Sequence, residues 1–165
     1  MAVDRSVIGR STGRARLVVE RGPIAAFAKA VKDADPIYQS PVAARVAGFA
    51  DVPLPPTFGF SAMSYWGAQP DLQTDVDAGT GNLLADVFGP LFAAGGIVLH
   101  GEEEFLFHAP VVAGDVLLRE GRVLDLYEKE SKGRLMTFMV TEDRYTNERT
   151  GALVLTTRMN LVHRP

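Results

Sequence analysis

The sequence has no cysteine among its 165 residues. This absence excludes a disulfide framework, a thiolate metal site and a cysteine nucleophile. The sequence also lacks any run of about 20 consecutive apolar residues, the length that a membrane-spanning helix needs. Since no apolar run follows the first charges, we expect no signal peptide and a cytoplasmic protein that has no membrane partner.

Positive charge is neither abundant nor clustered in this chain. Seventeen Lys and Arg residues stand against 20 Asp and Glu residues, which gives a net charge of −3. This balance argues against nucleic acid or an anionic membrane as a partner. Hydrophobic residues make up 47% of the chain, enough for a globular core. We expect one domain over residues 1–165, in which residues 1–13 form a flexible or edge-hugging tail.

The first half of the chain is predicted to be mainly helical after a short strand at residues 14–20. From Pro23 onwards, apolar residues recur at helical spacing, and this helix should end near residues 33–35 because Asp35 precedes a proline. A short helix is predicted at residues 40–47.

Two further apolar segments follow the short helix. Residues 57–66 are apolar on nearly every side of a predicted helix, which is typical of a buried helix. Residues 67–81 indicate a surface loop. Residues 83–92 form an apolar patch interrupted by Gly89 and Pro90, and we interpret it as a flap or short helices. This patch could line an acyl-chain tunnel, or equally belong to the core or to a dimer contact.

The second half is predicted to be a sheet. Four runs at residues 97–109, 115–130, 134–146 and 152–163 are separated by short turn signals, a pattern typical of an antiparallel meander. Alternation is clearest in the last run, where apolar and polar residues take opposite faces. The sequence therefore predicts an α+β fold, in which an antiparallel sheet wraps around a buried central helix.

Two stretches carry a resemblance to a known family. They are residues 32–58 and residues 104–117, the second of which contains the pattern Pro-Val-x-x-Gly-Asp-x-Leu. Together they resemble the MaoC-like and fungal-fatty-acid-synthase-like dehydratases of the hot-dog fold. The substrate-binding partner in mycobacterial hydroxyacyl-carrier-protein dehydratases is especially similar. The resemblance implies a single hot-dog domain and reversible addition of water to a trans-2-enoyl thioester.

The sequence departs from the family in the motif that carries the catalytic residues. Catalytic members carry the motif Gly-Asp-x-Asn-Pro-Ile/Val-His. Here Asp33 matches the aspartate and residues 35–37 take the next matching positions, but Lys32 replaces the glycine and Tyr38 replaces the histidine. A histidine titrates near neutrality and serves as acid and base, whereas the unperturbed pKa of tyrosine is about 10. Asp33 and Tyr38 are thus either a degenerate catalytic pair or, respectively, a capping residue and a core ring.

The resemblance and the sequence pattern also suggest substrate-binding residues. In the family a backbone N–H at the start of the central helix polarises the thioester carbonyl, which here falls near Thr57 and Phe58. The usual glycine there is replaced by Thr57. The full set of predicted substrate-binding residues is Pro56, Thr57, Phe58, Leu84, Phe88 and His100.

The three histidines suggest little further chemistry. His100 is predicted to share a strand face with Glu102 and Glu104, which would suit an acid–base pair or a metal site, or else a solvated face or a subunit contact. His108 and His163 lie near strand ends and are expected to face solvent. Their spacing does not suit a metal site, so we predict neither metal nor cofactor.

Two hypotheses of different class follow. In the first, the chain is the substrate-binding subunit of a (3R)-hydroxyacyl-thioester dehydratase or enoyl-CoA hydratase. It would bind acyl-CoA or an acyl carrier protein and pair with a second, catalytic hot-dog subunit. In the second, it is a non-catalytic acyl-CoA binder or a structural homodimer. A thioesterase of the same fold ranks last because residues 57–66 contain no acidic residue.

Overall fold

A computed structural model describes residues 3–60 and 83–165. The described residues contain a five-stranded antiparallel sheet with the strand order β1-β3-β4-β5-β2. Its strands are β1 (Ser11–Val18), β2 (Ile97–Phe107), β3 (Val116–Ser131), β4 (Arg134–Asn147) and β5 (Leu153–Arg164). The four strands predicted in the second half of the chain are confirmed, with ends that differ by one or two residues.

Tight turns connect β3, β4 and β5 into the predicted meander. Between β3 and β4, Lys132 and Gly133 both have positive φ, 51° and 73°, which matches the twist of a two-residue hairpin. Between β4 and β5, the Asn147 side-chain oxygen accepts hydrogen bonds from the N–H groups of Arg149 and Thr150. Polar and glycine residues therefore end the strands where the sequence predicted.

Residues 1–13 were expected to form a flexible or edge-hugging tail, and the described part of them is folded against the edge of the sheet. Arg5–Val7 is a 3-10 turn, capped by the Asp4 carboxylate, and it buries Val7 to 6% exposure. The strand expected at residues 14–20 is Ser11–Val18 and lies at the edge of the sheet beside β3. The buried Val7 side chain holds this segment against the sheet. A single apolar residue in a short polar stretch gives no periodic pattern, so this contact could not be predicted from the sequence.

Two short helices come next, close to where they were predicted. Helix α1 (Arg21–Ala30) ends a few residues before the predicted boundary. Helix α2 (Pro41–Val46) is capped by Ser40, whose hydroxyl accepts a hydrogen bond from the Ala43 N–H. After α2, Gly48 has φ of 95°, a conformation that favours glycine and ends the helix.

The apolar segments of the middle region are described in part. Residues 58–60 are helical, and the remainder of the helix predicted at 57–66 and the loop at 67–81 lie outside the described residues. Instead of a flap or several short helices, residues 83–92 belong to one helix, α3 (Leu83–Ala93), which contains Pro90. The Gly89-Pro90 pair therefore does not break the helix.

Helices α1 and α3 pack on the sheet through two separate apolar clusters. The first cluster joins Ile24 of α1 and Phe58 to strand residues such as Leu17 and Leu155. The second joins Phe88 of α3 to a separate set: Val7, Leu83, Val123, Leu126 and Met139. This arrangement confirms the predicted α+β class, with an antiparallel sheet that carries its helices on its apolar face.

A polar strip crosses the same face of the sheet. Arg119 lies beside Tyr145 in the strand register, and Gly121 lies beside Asp143, which in turn lies beside Thr157. The guanidinium of Arg119 lies 2.9 Å from the Asp143 carboxylate, and both side chains are mostly buried. Burial and the nearby Asp143 carboxylate raise the pKa of Tyr145. The phenol is therefore neutral at all physiological pH values.

Candidate functional site

The acidic loop after α1 begins at the C-terminal end of that helix, and the geometry there explains why the family motif begins with glycine. The N–H of Asp33 donates to the Ala28 carbonyl and the N–H of Lys32 donates to the Lys29 carbonyl, which is the hydrogen-bond pattern of a Schellman motif. In that motif one residue takes the left-handed conformation, and here it is Lys32, with φ of 61°. The glycine of the family motif falls on the position that needs positive φ. Lysine takes this conformation at an energetic cost.

Both carboxylates of the loop hold its backbone. Asp33 accepts a hydrogen bond from the Asp35 N–H at 3.0 Å. Asp35 accepts one from the Ile37 N–H, also at 3.0 Å, and so caps the 3-10 turn Pro36–Tyr38. Both side chains are exposed. The two acids therefore shape the turn that presents Tyr38, whatever further role Asp33 has.

Tyr38 lies at the end of this turn, half-buried against the first apolar cluster. Burial raises the pKa of the Tyr38 phenol, and the negative charges of Asp33 and Asp35 raise it further. The phenol therefore stays protonated at neutral pH. In this state it donates a hydrogen bond and does not act as a base.

Tyr38 opens onto an apolar pocket of about 430 Å³. The pocket is lined by Tyr38 and Phe49, by Pro53, Leu54 and Pro56, and by residues 107–111. Apolar side chains dominate this lining, which is the usual character of a small-molecule site. Of the predicted site residues, the structure thus brings Tyr38 and Pro56 together around one cavity.

The segment 109–115 is fixed to the helical half by backbone pairing. The Leu54 N–H donates to the Val111 carbonyl at 2.8 Å, and Pro53 forms an isolated β-bridge with Val112. Asp115 stabilises the turn, because its carboxylate accepts hydrogen bonds from the Val112 N–H and from the Asn147 side chain. The Gly-Asp pair of the sequence pattern therefore serves to place residues 107–111 at the pocket.

His108 lies in this pocket, which sequence reasoning missed. Its side chain is exposed, as expected, but its ring also lines the cavity, and Nε2 lies 3.0 Å from the Thr156 hydroxyl. The Thr156 side chain is only 9% exposed, so the His108 ring contacts a hydroxyl that is held in place. The signal available in the sequence was the position of His108 immediately before the Ala-Pro-Val segment.

The start of the central helix differs from the expected oxyanion geometry. The Phe58 N–H donates to the Pro55 carbonyl at 3.0 Å, and the Phe58 ring is buried edge-to-face against Phe27. Phe58 is therefore a core residue, and Thr57 is exposed outside the pocket lining. A small residue is nevertheless present one position later. A Cβ atom on Gly59 would lie 3.5 Å from the Leu155 side chain.

Two other predicted site residues, Phe88 and His100, do not line the pocket beside Tyr38. Phe88 is fully buried in the second apolar cluster. The Leu84 side chain lies outside the described residues. His100 does not share a strand face with Glu102 and Glu104. The register of β2 against β5 shifts between His100 and Glu103, and the His100 ring lies 3.4 Å from the Glu103 carboxylate. Desolvation raises the pKa of Glu103, and the interaction with His100 opposes that rise.

His163 corrects a second histidine prediction. It was expected to face solvent, but it is only 3% exposed, and its Nε2 lies 2.9 Å from the Gly95 carbonyl. The Phe92 ring packs edge-on against its imidazole. His163 therefore ties the end of β5 to the turn after α3.

The described residues offer no arrangement for a metal ion: nowhere do three or more His, Asp or Glu side chains converge. The absence of a metal or cofactor in the working protein stays a prediction. Of the helices in residues 3–60 and 83–165, none is long and apolar enough to cross a membrane.

The strand order and the helices on the apolar face of the sheet define a hot-dog domain, with an apolar pocket at the motif. Comparison with known proteins agrees with this class. Residues 6–157 match the family described as FAS1-like, dehydratase domain region. A UPF0336 protein of Parafrankia sp. (strain EAN1pec) is 31% identical over 166 residues, which cover 99% of this chain and 96% of that protein. A UPF0336 protein of Saccharopolyspora erythraea is 34% identical over 71% of this chain, and the match spans 66% of that relative.

Solved structures show the same fold. The C-terminally truncated HadBC (3R-hydroxyacyl-ACP dehydratase) complex of Mycobacterium tuberculosis is similar with a TM-score of 0.69 and 23% identity, over 98% of this chain and 99% of that chain. The (R)-hydratase of A. caviae involved in PHA biosynthesis is similar with a TM-score of 0.60 and 18% identity, over 93% and 94%. The chain belongs to the FAS1-like dehydratase-region family, and the predicted MaoC-like hot-dog resemblance is confirmed.

Proposed function

We propose that this chain is the acyl-thioester-binding subunit of a (3R)-hydroxyacyl-thioester dehydratase or enoyl-thioester hydratase, and that a second hot-dog subunit supplies the catalytic histidine. The observation that carries this proposal is the presence of a tyrosine, Tyr38, whose phenol is protonated. It stands at the histidine position of the family motif and lines the apolar pocket, and its pKa lies above the ordinary value.

The chemistry explains why Tyr38 separates binding from catalysis. Hydration of an enoyl thioester needs a group that takes a proton from water near neutral pH. A phenol whose pKa is raised by burial, Asp33 and Asp35 stays protonated and cannot take that proton. It keeps the capacity to donate a hydrogen bond to a carbonyl. The pocket therefore suits the binding of a thioester better than its conversion.

A free sheet edge supports the pairing. Strand β2 is the last strand in the order of the described sheet, so one side of its backbone is open to another strand. Several of its large apolar side chains are exposed, namely Ile97, Leu99, Leu106 and Phe107. Two of the similar structures are HadBC and ChsH1-ChsH2 complexes from Mycobacterium tuberculosis. A second hot-dog chain against β2 would cover this apolar edge.

The test combines the chain with a hot-dog protein that carries an intact Gly-Asp-x-Asn-Pro-x-His motif, taken from the same genome. We expect a heterodimer in size-exclusion chromatography coupled to light scattering, and hydration of trans-2-octenoyl-CoA by the mixture. Leu106→Glu places a charge on the exposed edge and should prevent the complex, whereas Leu135→Glu, on an exposed residue of β4, is the matched control. A partner that neither binds nor gains activity from this chain would contradict the proposal.

The alternative function is a non-catalytic acyl-CoA binder that forms a homodimer. The replacement of the motif histidine by Tyr38 also fits this function, because a binder that forms a homodimer needs no catalytic base. The same chromatography separates the two functions. A stable homodimer that binds octanoyl-CoA and ignores the catalytic hot-dog chain would support the alternative.

A further inference from the structure

We propose that His108 is a ligand-binding residue of the pocket, and that its imidazole and the Tyr38 phenol together bind the neutral thioester or amide portion of the ligand. This inference rests on the proposed function and names the residue that would determine recognition. Neither the family motif nor the predicted site residues include His108.

The first support is the distribution of polar groups around the pocket. Among the described lining residues, Tyr38 and His108 are the ones with polar side chains, and the others are apolar. A mostly apolar site takes its orientation from a few placed polar groups. A ligand that buries an acyl chain against this lining would therefore direct its polar portion toward these two side chains.

The backbone offers few competing donors. Pro53, Pro56 and Pro110 line the pocket and have no N–H group. The N–H of Leu54 donates to the Val111 carbonyl, and the N–H of His108 donates to the Val154 carbonyl. The N–H groups of Phe49 and Ala109 also have carbonyl acceptors within the chain. Since these donors are engaged, hydrogen bonds to a ligand fall mainly to side chains.

His108 is also held in place before any ligand arrives. Its Nε2 hydrogen-bonds with the hydroxyl of buried Thr156 at 3.0 Å, and its backbone is fixed to β5. Within the described part of the chain, Nδ1 has no hydrogen-bond partner. The geometry thus uses one ring nitrogen for orientation and leaves the other for a ligand, an arrangement that lowers the entropic cost of binding.

The charges around Tyr38 indicate which ligand group lies there. The carboxylates of Asp33 and Asp35 act on the phenol strongly enough to contribute to its raised pKa. The same negative potential disfavours an anionic group such as a phosphate beside Tyr38. It does not oppose a neutral carbonyl acceptor. The pocket therefore fits the thioester or the adjoining amide, and the phosphates of a coenzyme would lie elsewhere.

The experiment uses two saturated thioesters that can be neither hydrated nor dehydrated: octanoyl-N-acetylcysteamine, which has no phosphate, and octanoyl-CoA. Binding is measured by isothermal titration calorimetry with the full chain. His108→Phe keeps a ring and removes both nitrogens, and we expect it to weaken the binding of both esters by about 3- to 10-fold, the effect of one lost hydrogen bond. Glu130→Gln, on an exposed residue near the β3–β4 turn, is the control and should leave binding unchanged.

A second readout uses the wild-type chain, so that the test survives a variant that does not fold. We expect the His108 imidazole NMR signals to shift on addition of octanoyl-N-acetylcysteamine, while the signals of buried His163 stay in place. Wild-type binding with unmoved His108 signals and an unaffected His108→Phe variant would overturn this inference alone. A loss confined to octanoyl-CoA would also overturn it, because His108 would then contact a phosphate. If the wild-type chain binds neither these esters nor an octanoyl carrier protein, the proposed function fails as well.

Discussion

Gly121 is the position where a single added methyl group should do most to disturb the polar strip of the sheet. A Cβ atom at this position would overlap the Thr12 hydroxyl and the Asp143 carboxylate, and would lie 3.2 Å from the Arg119 guanidinium. Asp143 must then move away from Arg119, with which it forms a mostly buried ion pair at 2.9 Å. Overpacking typically costs about 1–3 kcal/mol. Together with the weakened pair, we expect Gly121→Ala to lower the free energy of unfolding by about 2–4 kcal/mol.

Urea unfolding followed by circular dichroism measures this change. The matched control is Gly22→Ala in the first turn of α1, where an added Cβ would meet no atom within 4 Å. Because alanine favours a helix over glycine, we expect this control to stabilise the fold by about 0.5–1 kcal/mol. If Gly121→Ala unfolds within about 0.5 kcal/mol of the wild type, a difference typical of neutral surface changes, then the strip is not closely packed and this reasoning is wrong.

Two further predictions concern the loops around the site. Lys32→Gly should raise the free energy of unfolding by about 0.5–1 kcal/mol in urea melts, because the φ of 61° at this position suits glycine. The control Lys29→Gly, inside α1, should lower the free energy of unfolding by about 1 kcal/mol. A destabilised Lys32→Gly variant would contradict the assigned helix terminus. Hydrogen bonds from the Arg21 guanidinium and the Val52 N–H lower the pKa of Asp51 to about 2 from 3.8. The ionised carboxylate therefore stabilises the fold above pH 3.8, and this contribution is lost as pH falls toward 2. Asp51→Asn should flatten the acid side of the stability profile, and an unchanged profile would show that the pair is not formed.

The sheet was predictable because local sequence marks its ends. Gly114, Gly133 and Gly151 all have positive φ and lie in the turns between strands, where glycine and polar residues signal a break. Between these turns the alternation of apolar and polar residues gives the strand period directly. The α+β class and the meander follow from these local signals, and the hot-dog assignment follows from the 32–58 and 104–117 stretches.

Strand register was harder to predict, because it depends on a neighbouring strand. Simple alternation placed His100 with Glu102 and Glu104, but pairing with β5 shifts between His100 and Glu103 and turns the histidine toward Glu103. A single extra residue changes the face of every side chain beyond it. Helix α3 is continuous although Pro90 lies inside it, and its Phe88 packs against residues of β3 and β4.

The pocket could be predicted only in part, for a related reason. Tyr38 and Pro56 were identified from the motif, since that part of the wall is local in sequence. Residues 107–111 reach the same cavity through backbone pairing between Leu54 and Val111, which lie about a third of the chain apart in sequence. No periodicity reports such a contact. This is why His108 was correctly expected to be exposed but was not predicted to line the pocket together with Tyr38.

The central claim is that this chain binds an acyl thioester without converting it, and one measurement tests it most directly. The isolated chain is mixed with trans-2-octenoyl-CoA at a concentration that saturates binding, and hydration is followed by the loss of absorbance of the conjugated enoyl thioester. We expect saturable binding and a hydration rate equal to the buffer blank. An enzyme-like rate from the isolated chain that disappears in Asp33→Asn would contradict it, because residues 33–38 would then be a working catalytic site.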